Sequence, residues 1–135
     1  MVEVNRKSNL VDYLVSIIIP HHGGFNILND CLVSLNQSTY KNYEIIIVDN
    51  ASQDDSIKNI KEKFPYVNII TMKSNLGYAG GCNVGALKAK GEFIFFLNND
   101  TIHEHNWIEP LVKLMSKDVS IGCIQPKILS ISNNK

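Results

Sequence analysis

The chain has 135 residues, 44% of them hydrophobic and 19% charged, a composition that predicts one folded domain and argues against intrinsic disorder. A domain of this size buries about 65–70% of the surface its unfolded chain exposes, enough for a core without disulfide or metal staples. Thirteen Lys plus Arg balance thirteen Asp plus Glu to a formal net charge of zero. That removes the general electrostatic attraction that nucleic acid or an anionic membrane surface requires, so no nucleic-acid partner is expected.

Cysteines at 31, 82 and 123 are odd in number and widely spaced, which fits neither a disulfide framework nor a zinc site and suits a reducing, cytoplasmic setting. The apolar runs are about five residues long, far short of the roughly 20 that span a bilayer. The first fourteen residues lack the apolar stretch and small-residue cleavage site of a signal peptide, so the sequons at Asn36, Asn50 and Asn99 carry no expected glycan.

In chain order, short β-branched or aromatic runs alternate with stretches of helical period, the pattern of β-α-β units wound into a parallel sheet. Residues 15–19 form the first expected strand, stopped by Pro20, which cannot donate a ladder hydrogen bond. Leu28, Cys31, Leu32 and Leu35 then fall at i, i+3, i+4 and i+7, one apolar stripe of a helix. Residues 44–48 are nearly continuously apolar, as in a central strand covered on both faces. After them Ser52 and Asp55 have the spacing of a capping box, and Ile57, Ile60 and Phe64 continue a second helix to Pro65. A third strand is expected over 67–72 and a small-residue helix over 79–90, ended by Gly91. A fourth strand is expected over 92–97, and a last helix carries Ile108, Leu111, Val112 and Met115. Residues 120–124 read as a further strand. Residues 1–14 read as an N-terminal extension, 15–130 as the α/β domain, and 131–135 as a polar tail.

In an open parallel sheet, ligands bind outside the carboxyl ends of the strands. That rule gathers Pro20, His21 and His22, then Asp49 and Asn50, then residues 73–75, then Asn98, Asn99 and Asp100 along one polar edge. Such an edge suits a hydroxyl-rich, phosphate-bearing ligand and a hard divalent cation, which prefers carboxylate and amide oxygens. Asp49 is read either as an acceptor for a ribose or a base N–H, or as the anchor of an Asx turn. Asp100 is read either as a cation ligand or as a loop carboxylate. The glycines from Gly77 to Gly85 either admit a ligand to a helix N-terminus or let a small-residue helix pack closely on the sheet. They do not form G-x-G-x-x-G, and they follow the third strand instead of the first, which counts against a dinucleotide site. His21 and His22 have no further His or Cys near them and are read as polar lining of the cleft, not as metal ligands or a base.

Four blocks carry a resemblance: Val15-Ser16-Ile17-Ile18-Ile19-Pro20, Ile47-Val48-Asp49-Asn50-Ala51-Ser52-Gln53-Asp54, Asn75-Leu76-Gly77-Tyr78-Ala79-Gly80-Gly81-Cys82-Asn83 and Phe95-Phe96-Leu97-Asn98-Asn99-Asp100-Thr101. In order and spacing they resemble the N-terminal, donor-binding part of family 2 glycosyltransferases, and the last two most resemble its rhamnosyltransferase-like branch. The resemblance implies a truncated GT-A fold: a Rossmann-like, mostly parallel α/β sheet with helices on both faces, and residues 15–130 as a nucleotide-sugar-binding domain. It implies that Pro20, His21, Asp49, Asn50, Asn75, Gly80, Asn83, Asn98 and Asn99 surround a UDP- or dTDP-linked sugar, and that Asp100 holds Mg²⁺ or Mn²⁺. Asn98 stands where the family's Asp-x-Asp element has its first acid, so weaker cation binding is expected.

The family's acceptor region and catalytic base lie beyond the matched segment, so this chain is expected to be a fragment, inactive alone. The full-length enzyme would then glycosylate a saccharide or lipid-linked glycan in cell-surface polysaccharide biosynthesis, at the cytoplasmic face of the membrane. The competing reading is a non-catalytic nucleotide-sugar-binding or interaction module. Nucleotidyl transfer is disfavoured because His21-His22-Gly23-Gly24 is not a basic phosphate-gripping loop.

Overall fold

The structure, a computed structural model, describes residues 12–130. Four strands, β1 (Val15–His21), β2 (Tyr43–Asp49), β3 (Asn68–Thr71) and β4 (Phe93–Phe96), alternate with four helices, α1 (Phe25–Asn36), α2 (Ser56–Lys63), α3 (Gly77–Ala86) and α4 (Ile108–Lys117). The strands form one sheet in the order β3-β2-β1-β4, and every pairing is parallel.

Strand period 2 divides the core. Val15, Ile17, Ile19, Ile45 and Ile47 point to one face, where they pack with Leu28, Cys31, Leu32 and Leu35 of α1, Ile60 of α2, and Ile108 and Val112 of α4. Ile18, Ile46 and Val48 point to the other face, where Val84 and Ala86 of α3 pack against them. Helices therefore cover both faces, and all seven residues of β1 are buried. Because α3 stands over β1 and β2, the same face of β4 is left uncovered, and Ile94 and Phe96 are 41% and 51% exposed.

Several expectations shift. β1 does not stop at Pro20: it pairs with β2 through His21↔Asp49. The carbonyl of Ile18 accepts the amide of Leu97, so Ile18 and, two residues on, Pro20 turn their backbone toward β4. The β4 ladder ends at Ile18↔Phe96, and the missing N–H of Pro20 costs no bond. α3 begins at Gly77 and ends at Ala86, earlier at both ends than expected. Gly91 does not cap it; a Cβ there would lie 2.6 Å from both Leu14 O and Ser16 N, so glycine permits a close approach of two chain segments.

No strand forms over 120–124. Asp118 Oδ1 accepts the amide and hydroxyl of Ser120, and the Asp118 carbonyl accepts the amide of Ile121, which curls the chain at the start of that run. Residues 1–11 of the expected extension and the tail 131–135 lie outside the described residues. Tyr13, near the end of that extension, packs edge-on against Phe93 at 5.2 Å.

Candidate active site at the strand ends

The register sets His21, Asp49 and Thr71 abreast at the carboxyl end of the sheet, and the loop after β4 brings Asn99 alongside His21. There a cleft of about 300 Å³ is lined by Pro20, His21, His22, Asn50, Asn75, Gly77, Tyr78 and Asn99. Four stretches up to about 80 residues apart in sequence share one polar hollow, as the topology requires.

Within the hollow the expected residues divide by role. His22 Nδ1 lies 2.8 Å from the Asn50 carbonyl and, as the donor of that pair, ties the β1 loop to the β2 loop. Asn50 is buried; its amide donates to the Gly77 carbonyl and accepts the amide of Leu76, fastening the start of α3. Asn75 is exposed at the rim, and its Oδ1 accepts the Gly77 amide. Asp49 is 4% exposed and its Oδ1 accepts the Ser52 amide, so the turn-anchoring reading holds for one oxygen. Ser52 does not cap α2; its hydroxyl accepts the Gly23 amide across the cleft's edge, and the N-cap position belongs to Asp55.

Gly80 and Asn83 are not among the residues lining the cleft. A Cβ on Gly80 would strike Leu76 Cβ at 2.5 Å, one on Gly81 would strike Pro20 Cβ at 2.9 Å, and one on Gly85 would strike Ile18 Cγ2 at 2.3 Å. Helix-on-sheet packing accounts for Gly81 and Gly85, and the turn into α3 accounts for Gly80. Sequence reasoning overlooked Tyr78 as a wall of the cleft; its place two residues into the expected glycine segment was the available signal.

His21 is 1% exposed and belongs to the cleft floor. Its Nδ1 lies 2.9 Å from Asn99 Nδ2 and its Nε2 3.1 Å from Ser56 Oγ. Burial holds its pKa below the ordinary histidine value, against the opposing pull of Asp49 and Asp54. The Ser56 hydroxyl in turn donates to Asp54 Oδ1, while Asp54 Oδ2 accepts the Gly24 amide at 2.7 Å. Those bonds, the Gly24 amide first and Ser56 second, lower Asp54 to about 2.

Asn98 and Asp100 are exposed in the loop after β4. A second buried cluster braces this loop from behind. Ser34 Oγ of α1 lies 2.8 Å from His103 Nδ1, and His103 Nε2 lies 3.1 Å from Thr101 Oγ1, which donates to the Asn98 carbonyl. The His103 ring stacks on Trp107 at 4.9 Å, and burial brings it down to about 4. A histidine at about 4 against 6.5 corresponds to roughly 3 kcal/mol, which solvent screening at its part-exposed edge reduces to about 2 kcal/mol. The folded value is the depressed one, so this stability is present above pH 6.5 and is lost as pH falls toward 4. Urea titrations at pH 7 and pH 4.5 should show wild type losing about 2 kcal/mol more than His103→Gln; equal losses would refute it.

Among the described residues no three His, Cys, Asp or Glu side chains cluster as a metal cage. The donors beside the cleft are oxygens, with Asp100 the one carboxylate in its loop from residue 98 to 101. That set fits a hard cation held by one carboxylate, with its other ligands from diphosphate oxygens and water. Among the described residues no helix is long and apolar enough to cross a membrane.

The family model for glycosyl transferase family 2 matches residues 16–134. An uncharacterized glycosyltransferase of Rickettsia prowazekii is 34% identical over 121 residues, 87% of this chain and 38% of its own length. The UDP-Glc:α-D-GlcNAc-diphosphoundecaprenol β-1,3-glucosyltransferase WfgD of Escherichia coli is 32% identical over 124 residues, 91% of this chain and 49% of its own. The chain thus spans between about two fifths and half of these relatives.

Two solved structures share the fold. Staphylococcus aureus TarS in complex with UDP has a TM-score of 0.70 at 19% identity, covering 76% of this chain and 32% of TarS. The mannosyltransferase PcManGT of Pyrobaculum calidifontis, in complex with GDP-Man and Mn²⁺, has a TM-score of 0.72 at 20% identity, covering 84% and 36%. The architecture is that of GT-A glycosyltransferases, as the four sequence blocks implied. With the family model matched over nearly its whole length, the chain belongs to glycosyl transferase family 2.

Proposed function

We propose that this chain binds a nucleoside diphosphate sugar, UDP- or dTDP-linked, in the strand-end cleft, with Mg²⁺ or Mn²⁺ on Asp100, as the donor half of a glycosyltransferase. The observation that carries the proposal is the convergence of the β1, β2, β4 and pre-α3 loops on one polar hollow whose neighbouring loop holds Asp100. The nucleotides captured by two neighbours of the same fold, UDP and GDP-Man with Mn²⁺, support the ligand class.

In this reading Pro20, Asn50, Asn75 and Asn99 border the nucleotide and sugar. The unshared Asp49 oxygen accepts from ribose or base, while Asn98, Gly80 and Asn83 lie at the periphery. A bound cation would neutralise charge building on the departing diphosphate. This chain's residues bind and orient the donor; the carboxylate that takes the acceptor's proton is assigned to residues beyond Lys135. The acceptor is proposed to be a saccharide or lipid-linked glycan at the cytoplasmic face of the membrane, by analogy with the diphosphoundecaprenol-linked acceptor in the name of the E. coli relative. The rhamnosyltransferase-like branch enters this proposal through its motifs alone.

Titration calorimetry with UDP and Mg²⁺ tests the site. Asp49→Ala is expected to weaken binding roughly fivefold to twentyfold, the range for one hydrogen bond to a charged group. Unchanged affinity would remove Asp49 from the pocket.

A further inference from the structure

Four side chains form an unbroken line from the surface into the cleft: Asp54, Ser56, His21 and Asn99. Their protons are fixed by counting. Asp54 is held at about 2 and is a carboxylate at neutral pH, so it only accepts. The single Ser56 hydroxyl proton goes to Asp54 Oδ1, which leaves Ser56 Oγ an acceptor toward His21. His21 Nε2 must then carry the ring proton, and Nδ1 must be the bare nitrogen. A bare nitrogen takes only a donor, so Asn99 turns its Nδ2–H toward His21 and keeps Oδ1 free. No donor among the described residues bonds that oxygen, and Asn99 lines the cleft.

We propose that Asp54, Ser56 and His21 are positioning residues that lock the Asn99 amide, so that position 99 offers the ligand an acceptor and selects a hydroxyl or N–H of the sugar nucleotide over a phosphate oxygen. The reversed line, with Nδ1–H donating to Asn99 Oδ1, would need the Ser56 proton for His21 Nε2 and would leave the Ser56 oxygen facing the Asp54 oxygen with no proton between them. The Gly24 amide, on a left-handed residue at φ 90°, steadies the far end by holding Asp54 Oδ2. The choice of ligand group rests on the donor-binding reading above; the state of the imidazole does not.

Long-range ¹H–¹⁵N correlation spectra of the ligand-free chain at pH 7.5 read the tautomer directly. His21 is expected as the Nε2–H form, and Ser56→Ala and the exposed Asp54→Ala should each produce a mixture of tautomers. In calorimetry with UDP and Mg²⁺ both variants should lose roughly threefold to tenfold in affinity, the range for one neutral hydrogen bond. An Nδ1–H wild-type ring overturns the proposal whether or not UDP binds. The Nε2–H ring with unchanged UDP affinity in both variants overturns the positioning role and leaves donor binding standing. Absence of UDP binding by wild type strikes the donor reading and with it the ligand role of Asn99, a failure told apart because the tautomer is measured without ligand.

Discussion

Asp100→Ala is expected to lower nucleoside diphosphate affinity roughly tenfold to a hundredfold in the presence of Mn²⁺ and to leave the residual affinity indifferent to EDTA. The reason is the thinness of the donor set. Asn98 occupies the position where a second carboxylate would stand, and no three ligating side chains gather among the described residues. With one anionic anchor the cation depends on Asp100 and on the diphosphate itself. Asp100→Asn should recover little, because the charge and not the shape sets most of a hard cation's affinity. Calorimetry with and without EDTA separates this from a folding defect, since Asp100 is exposed in its loop. Equal affinity of wild type and Asp100→Ala in Mn²⁺ would exclude Asp100 as the cation ligand.

Gly85→Ala should destabilise the fold by about 2–3 kcal/mol, although in an exposed helix the same change would add roughly 1 kcal/mol of helix propensity. The new methyl would sit 2.3 Å from Ile18 Cγ2 and 3.2 Å from Val48 Cγ2. Both neighbours are fully buried strand residues, and a close-packed interior yields little. α3 would have to lift from the sheet, taking the Asn50 clamp on Gly77 with it. Urea unfolding that shows a lower midpoint with an unchanged slope checks the claim; a midpoint at or above that of wild type refutes it.

These two positions mark how far the sequence could be read. The β1 and β2 strands were legible because runs of Ile and Val buried on both faces leave a continuous apolar signature, and α1 was legible from its Leu28, Cys31, Leu32 and Leu35 stripe. The strand-end rule then collected Pro20, His21, Asp49, Asn75 and Asn99 without knowledge of any contact. The function of the glycines was not legible, because spacing does not say whether the missing Cβ makes room for a ligand or for Ile18. Nor were the partners of His21 and His103, since Ser56 is 35 residues away from the first and Ser34 is 69 from the second. Pairings of that kind follow from helix placement and not from local pattern. The run at 120–124 misled because a short apolar stretch says nothing of a neighbour to pair with, and the Asp118 side chain turns the chain before one is met.

A crystal of this chain soaked with UDP and Mn²⁺ tests the central claim most directly. The account predicts nucleotide density in the hollow bounded by Pro20, His22, Asn75, Tyr78 and Asn99, with the anomalous manganese signal beside Asp100 and the diphosphate bridging the two. Nucleotide bound away from the carboxyl ends of the strands, or manganese bound without Asp100, would contradict it.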